Sequence, residues 1–404
     1  MLKVVFELKN LVPFIRHQHK APISIFKKLS VANLLFTLQV ALPAYAGSLY
    51  LAQFMPEERV GLIFMGGALL TLLIFPLLSN ALTRWGNYRL TIYATTFLIF
   101  ALLGVALAQS TTSAVLWFII SYALTYVIVF TLDIFMEQYT EDERITGATR
   151  AFFLSAGIVA FIIAPLIAGL ILTDYEYWRV FLVSALVLIP FTYLIGTTTN
   201  GFVDATYTQV RITRTLATIA RSPNIRLIML LHLVLRVTFS WNAIVFPLYL
   251  INQLGMSWSE FGTIMAIAFS AYLFVFYPAG RIADSILGEK ELLISGFLIM
   301  GFALMLVPLL PGAVVALWAL VLFVYRIGAA LVEGMTESYF FKQVDGGNQN
   351  VIAVFRMMGP LGYIIGPGIA SLLLATISFT ATFMVFGLIM AIAAMATLPL
   401  VDTK

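Results

Sequence analysis

Eight ionisable side chains interrupt the long apolar runs of this sequence. They are Asp133, Glu137, Arg150, Arg236, Arg326, Glu333, Glu337 and Arg356. A charged group in an apolar environment is costly and normally has a counter-charge, a proton or a ligand, so each of these is a functional candidate. The carboxyl groups could bind and release protons, and the guanidinium groups could bind anions.

The four carboxyl groups form two pairs with helical spacing. Asp133 and Glu137 are four residues apart, as are Glu333 and Glu337, so each pair lies on one face of a helix. Asp133 and Glu333 lie one turn deeper, and we predict that they carry protons, because burial favours the neutral form of a carboxyl group. The alternative is a fixed ion pair, for which the similar depths of Glu333 and Arg356 make these two residues the expected partners.

Membrane-spanning helices must hold these residues in place. The chain of 404 residues is 61% hydrophobic and 10% charged, whereas an average soluble domain is about 45–50% apolar and about 25% charged. Its apolar runs reach the length of about 20 residues that a spanning helix needs. The twelve predicted spans are 30–54, 59–81, 91–109, 112–137, 148–172, 178–197, 225–251, 258–280, 291–310, 312–340, 348–374 and 376–399. This all-α membrane composition excludes a soluble enzyme, a disordered chain and a secreted disulfide scaffold.

Basic residues outside the spans lie almost entirely on one side of the predicted membrane. If the N-terminus is cytoplasmic, only Arg59 and Arg179 fall in the opposite loops. Cytoplasmic loops carry the excess of Lys and Arg, so the sequence predicts a multi-pass protein of the cell membrane with both termini cytoplasmic. Residues 1–29 form a basic N-terminal segment, in which 2–16 is either an interfacial helix or a disordered tail.

The sequence repeats itself after about 200 residues, in the same orientation. Gly61 corresponds to Gly262, and Pro165 corresponds to Pro367. We therefore predict two pseudo-symmetric six-helix bundles, at 30–197 and 225–404, joined by a cytoplasmic linker at 198–224. Gly362, Gly366 and Ala370, four residues apart on one helix face, are predicted to allow close helix packing.

Two loops and one span resemble the major facilitator superfamily. The loop from Gly280 through Asp284 to Gly288 is similar to the loop signature Gly-x-Leu-Ala-Asp-Arg-x-Gly-Arg-Arg, with one extra residue. The matching loop after the second span keeps Arg84, Gly86 and Arg89 but has Ser79 and Thr83 where the signature has Gly and Asp. Residues 160–169 are similar to the antiporter signature Gly-x-x-x-Gly-Pro-x-x-Gly-Gly, with alanine at several glycine positions. The resemblance implies a transporter whose two bundles rock about a central site.

In the resembling family, spans 1, 4, 7 and 10 line the central cavity. Arg236 and Arg326 lie near the midplane of spans 7 and 10, and two arginines facing a cavity would form an anion site. Alternatively each pairs internally, Arg326 with Glu333 two turns away, and His232 is a polar lining residue one turn from Arg236. The other residues predicted to bind substrate, each of which could instead be a packing contact, are Gln39, Tyr126, Trp241 and Asn242.

A further set of residues is predicted to gate the cytoplasmic ends of the two bundles, because such charges latch the halves together in the resembling family. This set comprises Glu137, Arg150, Glu337, Arg356, Arg84, Arg89, Asp284, Gly280 and Gly288.

The sequence therefore predicts a secondary active transporter that moves a small organic solute by alternating access, coupled to protons and directed toward efflux. One alternative is uptake or exchange of an organic anion at the midplane arginines, and another is a membrane sensor that does not transport. With no cysteine, three histidines and no catalytic or phosphate-binding motif, we expect no enzymatic activity, metal or cofactor. The expected partners are the solute, protons and the lipid bilayer, without nucleic acid, and the expected state is a monomer.

Overall fold

The computed structural model describes residues 23–139, 146–172, 176–204, 212–344 and 349–401, and these fold into α-helices joined by short connections. Helices are the expected solution because hydrocarbon offers no partners for backbone N–H and C=O groups, which a helix satisfies internally. The helices of the first half are α1 (Ile23–Ala41), α2 (Pro43–Ala52), α3 (Glu57–Ala106), α4 (Thr111–Tyr139), α5 (Thr146–Ile171) and α6 (Trp178–Thr198).

The second half follows a short helix, α7 (Ile212–Ala220), which lies within the predicted linker. Its helices are α8 (Pro223–Pro247), α9 (Trp258–Ser285), α10 (Glu289–Leu306), α11 (Val315–Gln343), α12 (Gln349–Arg356), α13 (Met358–Thr376) and α14 (Phe379–Ala396). Helix α8 continues as a π-helical turn over Leu248–Gln253, and α10 continues as a 3₁₀ turn over Val307–Leu309.

The helices account for the twelve predicted spans. Among the described residues, eleven helices are long and apolar enough to cross a membrane, and a shorter apolar stretch, Ala156–Ile171, supplies the remaining span. The first span is broken at Pro43, whose ring cannot continue the helix hydrogen bonds. The second and third spans form the two arms of α3, which meet at Gly86, where φ is 76° and ψ is 162°. Only glycine adopts that backbone conformation without strain.

Packing between helices is similar in the two halves. In the first half, α3 packs on α4 and α6, and α1 packs on α5 and α6. In the second half, α10 packs on α11 and α14, α9 packs on α11, and α8 packs on α13. Among the described residues, the most extensive helix packing between the halves is of α3 on α13, α5 on α9, and α2 on α8. We call the side on which α6 ends and α8 begins the linker side, and the opposite one the far side.

The repeated glycines and prolines meet across the boundary between the halves. A Cβ atom on Gly61 would lie 2.1 Å from the carbonyl oxygen of Pro367, and one on Gly262 would lie 2.2 Å from that of Pro165. Each half thus contributes a glycine to one contact and a proline to the other, on the far side of the molecule. The sequence repeat is therefore also a repeat of contacts.

The small residues of α13 allow close packing, as the sequence predicts. A Cβ atom on Gly362 or Gly366 would collide with the α8 backbone or with Ser240. The Ser240 hydroxyl donates a hydrogen bond to the Gly362 carbonyl oxygen across the same contact, at 2.8 Å. This close approach brings α13 beside the part of α8 that carries Arg236.

Several sequence predictions fall outside the described part of the chain. The predicted interfacial helix at 2–16 lies before the first described residue, and 205–211 of the linker are also outside it. The side chains of Glu137, Arg150 and Asp284 lie outside it as well.

Candidate functional site

An ion pair between α8 and α11 lies buried within the second half. The guanidinium Nη2 of Arg236 is 3.0 Å from Oε1 of Glu333 and 3.9 Å from Oε1 of Glu337. The Arg236 side chain is 18% exposed and the Glu333 side chain 8% exposed. Both carboxyl groups of the i and i+4 pair thus face Arg236, with Glu333 in direct contact. The predicted Glu333–Arg356 pair is not formed, because α8 places Arg236 at the required depth on a neighbouring helix.

His232 holds the other edge of the same guanidinium. The Nε–H of Arg236 donates to Nε2 of His232 at 3.1 Å, and Nδ1 of His232 is 3.0 Å from the Thr336 hydroxyl. Arginine can only donate, so Nε2 must be the unprotonated nitrogen and Nδ1 carries the proton. The Thr336 hydroxyl oxygen accepts a hydrogen bond from Nδ1–H of His232, and the Thr336 O–H donates to the Val332 carbonyl oxygen at 2.8 Å. His232 is therefore a neutral acceptor that orients Arg236.

Arg326 lies at the boundary between the halves in a different environment. Its Nη2 donates to the Tyr45 hydroxyl of α2 at 2.9 Å, and the guanidinium lies 4.1 Å above the Phe269 ring of α9. The residue is 6% exposed. Within the described residues no carboxylate lies within salt-bridge distance of it, so the expected internal pair with Glu333 is not formed.

Aromatic residues from both halves also meet at the boundary. Tyr122 and Tyr126 of α4 and Tyr363 of α13 form a cluster with ring centroids 5.3–6.2 Å apart. Tyr363 also lies near both Arg236 and Arg326. We call these three residues the tyrosine cluster. Sequence analysis did not select Tyr363, although its position next to Gly362, on a helix that packs closely against α8, could have indicated it.

The other predicted substrate-binding residues lie in three different environments. Asn242 is buried and donates from Nδ2 to the hydroxyl of Tyr325, the neighbour of Arg326. Trp241 stacks on Phe386 of α14 at 4.0 Å, so it packs inside the second half and not at the boundary. Gln39 is buried in α1, and its Oε1 has no hydrogen-bond partner among the described residues. Of these three residues, Asn242 is the one that lies beside Arg326, through its bond to Tyr325.

A second ion pair crosses between the halves on the linker side. Nη1 of Arg356 lies 3.3 Å from Oδ2 of Asp133, and their side chains are 29% and 44% exposed. Asp133 and Glu333 correspond in the repeat but have different partners. Asp133 faces Arg356 of the other half, whereas Glu333 faces Arg236 of α8 within its own half. The ring of Phe355, which precedes Arg356, packs against the His232 ring with centroids 4.5 Å apart and planes tilted by 33°. This contact connects the two ion pairs through α12.

Residues of the two signature loops differ in how far they are exposed. Arg84 and Arg89 are exposed beside the break in α3, and Gly280 lies within α9 with nothing near where a Cβ would stand. Gly288 is buried at the start of α10, where its N–H donates to Oε2 of Glu291 at 3.1 Å. These positions lie on the linker side.

The carboxylate missing from the first signature loop is supplied by the linker. Oδ1 of Asp204 accepts a hydrogen bond from the backbone N–H of Asn87 at 2.7 Å, directly after the break at Gly86. A Cβ on Gly86 would lie 2.3 Å from Oδ2 of Asp204. Asp204 therefore caps the second arm of α3, a role that sequence analysis did not assign because the two residues are far apart in the chain.

Comparison with known proteins places this architecture among transporters. The sequence profile of the Major Facilitator Superfamily matches residues 29–350 and 228–404. No curated protein matches the chain.

Solved structures of the same shape include three transporters. A crystal structure of the nucleoside transporter NupG is 14% identical, covers 93% of this chain and 98% of its own, and has a TM-score of 0.74. A bacterial homologue of the iron transporter ferroportin in the inward-facing state is 12% identical, with coverages of 93% and 98% and a TM-score of 0.72. An auto-inhibited POT family peptide transporter is 12% identical, with coverages of 94% and 98% and a TM-score of 0.75. At such identities the likeness concerns the fold, and it confirms the predicted helical architecture.

Proposed function

Because the chain belongs to the Major Facilitator Superfamily and is a transporter, not an enzyme, we propose that it couples the movement of a small organic solute to protons. The solute binds where the two halves meet, and rocking of the halves exposes it to each side in turn. We further propose that the linker side is cytoplasmic, in keeping with its basic residues. Export is the proposed direction, on the likeness of residues 160–169 to an antiporter signature.

The buried Arg236–Glu333 pair is the observation that carries the coupling proposal. A carboxyl group with 8% exposure has lost most of its hydration, and the Arg236 guanidinium at 3.0 Å is its charged partner. A proton on Glu333 would remove that attraction and release Arg236 toward another partner. The pair therefore has two arrangements, and a proton shifts the balance between them.

Of the two carboxyl groups predicted to carry protons, burial favours Glu333. Asp133 is more exposed and bonds across the halves to Arg356, so we propose that it holds the linker side closed. The two functions are physically connected, because Phe355 packs against His232 and His232 orients Arg236. Movement of α12 when the Asp133–Arg356 pair opens would disturb the proton site, which is what coupling requires.

Proteoliposomes that enclose a fluorescent pH indicator would test the coupling. Small organic acids, amines and lipophilic drugs are added singly, and we expect at least one to cause a pH change that requires the protein. In Glu333→Gln that pH change is expected to be lost, while exchange of the same labelled solute across the membrane continues, because exchange needs no net proton movement. Asp133→Asn is the matched comparison and is expected to keep the pH change. Solute flux in the native protein without any pH change would overturn the proposal.

A further inference from the structure

The two midplane arginines differ in whether their charge is balanced. Arg236 has Glu333 at 3.0 Å, whereas Arg326 has no carboxylate within salt-bridge distance among the described residues. Arg326 is also the more deeply buried, with 6% of the residue exposed. A buried guanidinium stays protonated in proteins, so an unbalanced positive charge remains at the boundary between the halves.

The neighbours of Arg326 offset this charge only in part. Tyr45 and Tyr272 of α9 each accept a hydrogen bond from Arg326 through a neutral hydroxyl, and Tyr272 also lies near Glu333. The faces of Phe269 and Phe239 lie 4.1 and 5.5 Å from the guanidinium carbon. Cation–π contacts and neutral hydrogen bonds are weaker than the desolvation cost of a buried cation, and the guanidinium has further N–H groups to donate.

The position of Arg326 ties its environment to the transport cycle. The arginine belongs to α11 of the second half, while Tyr45 belongs to α2 of the first half. Separation of the halves would remove the Tyr45 hydroxyl and leave donors of the guanidinium available. A transported molecule could then replace Tyr45 as the partner, at the point where transporters of this kind bind their substrates.

We infer that Arg326 binds the carboxylate of the transported solute, and that this solute is an organic monoanion with an aromatic or apolar body. Guanidinium and carboxylate form paired hydrogen bonds that suit this geometry. Phe239, Phe269 and Tyr325 lie around the guanidinium and offer apolar surface to the rest of the molecule. A dianion is disfavoured, because the nearby Arg236 is already neutralised by Glu333. The inference rests on the proposed transport of a solute but not on its coupling to protons.

The opposing interpretation is that Arg326 is a structural link between the halves, held by Tyr45 and Phe269. The two interpretations differ in what they expect of the protein without ligand. A structural link should lose thermal stability when it is removed. A ligand site that carries an unbalanced buried charge should keep or gain thermal stability on neutralisation, as binding sites commonly do.

Thermal unfolding of the purified full chain at one pH, without a gradient, tests the inference. The probes are phenylacetate, its neutral analogue phenylacetamide, and acetate, at equal concentrations and ionic strength. Binding to the folded state raises the melting temperature, so we expect phenylacetate to raise it by a few degrees and the other two to raise it less. In Arg326→Gln the phenylacetate shift should disappear while the ligand-free melting temperature stays equal or rises. Arg236→Gln is the control, and it should lower the ligand-free melting temperature, because Glu333 is left without its partner.

Results from the native protein and from Arg326→Gln can each contradict the inference. Equal stabilisation by phenylacetamide and phenylacetate, or no stabilisation by phenylacetate, would overturn it. A retained phenylacetate shift in Arg326→Gln, or a large drop in its ligand-free melting temperature, would do the same. Because the assay needs no proton gradient and leaves Glu333 intact, failure here is distinct from failure of the proposed proton coupling.

Discussion

At the scale of single residues, the hydrogen bonds of His232 assign its tautomer. Nε2 accepts from Arg236 and Nδ1 donates to Thr336, so the neutral ring completes a chain of bonds from α8 to α11. A second proton on the ring would point an N–H at the Arg236 N–H and add a like charge beside it. His232 therefore positions Arg236, in keeping with the proposal that Glu333 carries the proton.

We expect His232→Gln to keep proton-coupled transport, because a glutamine amide can accept from Arg236 and donate to Thr336. His232→Phe is the matched variant, since it keeps a ring against Phe355 but has no acceptor, and its coupled transport should fall at least about tenfold, the effect of losing one net hydrogen bond to a charged group. The readout is the pH profile of transport in proteoliposomes. An unchanged profile in His232→Gln supports positioning, whereas loss of pH dependence in that variant would show that the ring itself carries the proton.

The residue types at the site could be predicted from the sequence, but their pairing could not. Charges within apolar runs indicate Arg236, Arg326 and Glu333 as candidates, and the structure brings Arg236 and Glu333 into contact. Helix rise gives the depth of a side chain but not its direction around the helix axis, which is why Glu333 was assigned to Arg356. Contact between α8 and α11 decides the partner, and that contact is a property of the folded bundle.

At the scale of helices, the break in α3 depends on two residues that are distant in sequence. Gly86 supplies the positive φ, and Asp204 of the linker accepts the N–H of Asn87 at the start of the second arm. The first signature loop has Thr83 where the signature has Asp. Only the folded chain shows that a carboxylate from the linker, Asp204, lies beside this loop. Spans and breaks follow from local composition, whereas a cap donated by a remote segment does not.

We expect Asp204→Ala to destabilise the second arm of α3 by about 1 kcal/mol, the usual effect of losing an N-terminal cap. Gly86→Ala should cost about 1–3 kcal/mol, because alanine is strained at positive φ and its Cβ would collide with Asp204. Hydrogen–deuterium exchange of peptides that include residues 84–92 is the measurement, and faster exchange is expected in both variants. Gly196→Ala is the control, since a Cβ there meets nothing within 4 Å. Exchange as slow as in the native chain in both variants would rule out a capping role for Asp204.

At the scale of the whole molecule, the far side is closed by two equivalent contacts. Gly61 of α3 lies against Pro367 of α13, and Gly262 of α9 lies against Pro165 of α5, so in both helix pairs a glycine stands where a side chain would not fit. The Asn252 amide also donates to Glu57 across this side, at 2.7 Å. The repeat was visible in the sequence, but its meaning as a pair of closing contacts required the two halves to be brought together.

Because backbone carbonyl oxygens cannot move aside as a flexible side chain can, Gly61→Ala and Gly262→Ala should each separate the far-side ends and favour the state open there. The chain has no cysteine, so a disulfide introduced by Glu57→Cys and Asn252→Cys reports this closure without background. We expect the disulfide yield to fall in either alanine variant, by about fivefold or more if the collision costs about 1 kcal/mol in the closed state. Gly196→Ala should leave the yield unchanged, because that position is open.

Both closing contacts act on the same equilibrium, so the double alanine variant should lower the yield further than either single one. Equal yields in all variants would mean that the far side closes without these contacts, and that the glycine–proline repeat serves only the packing of the helices within the bilayer.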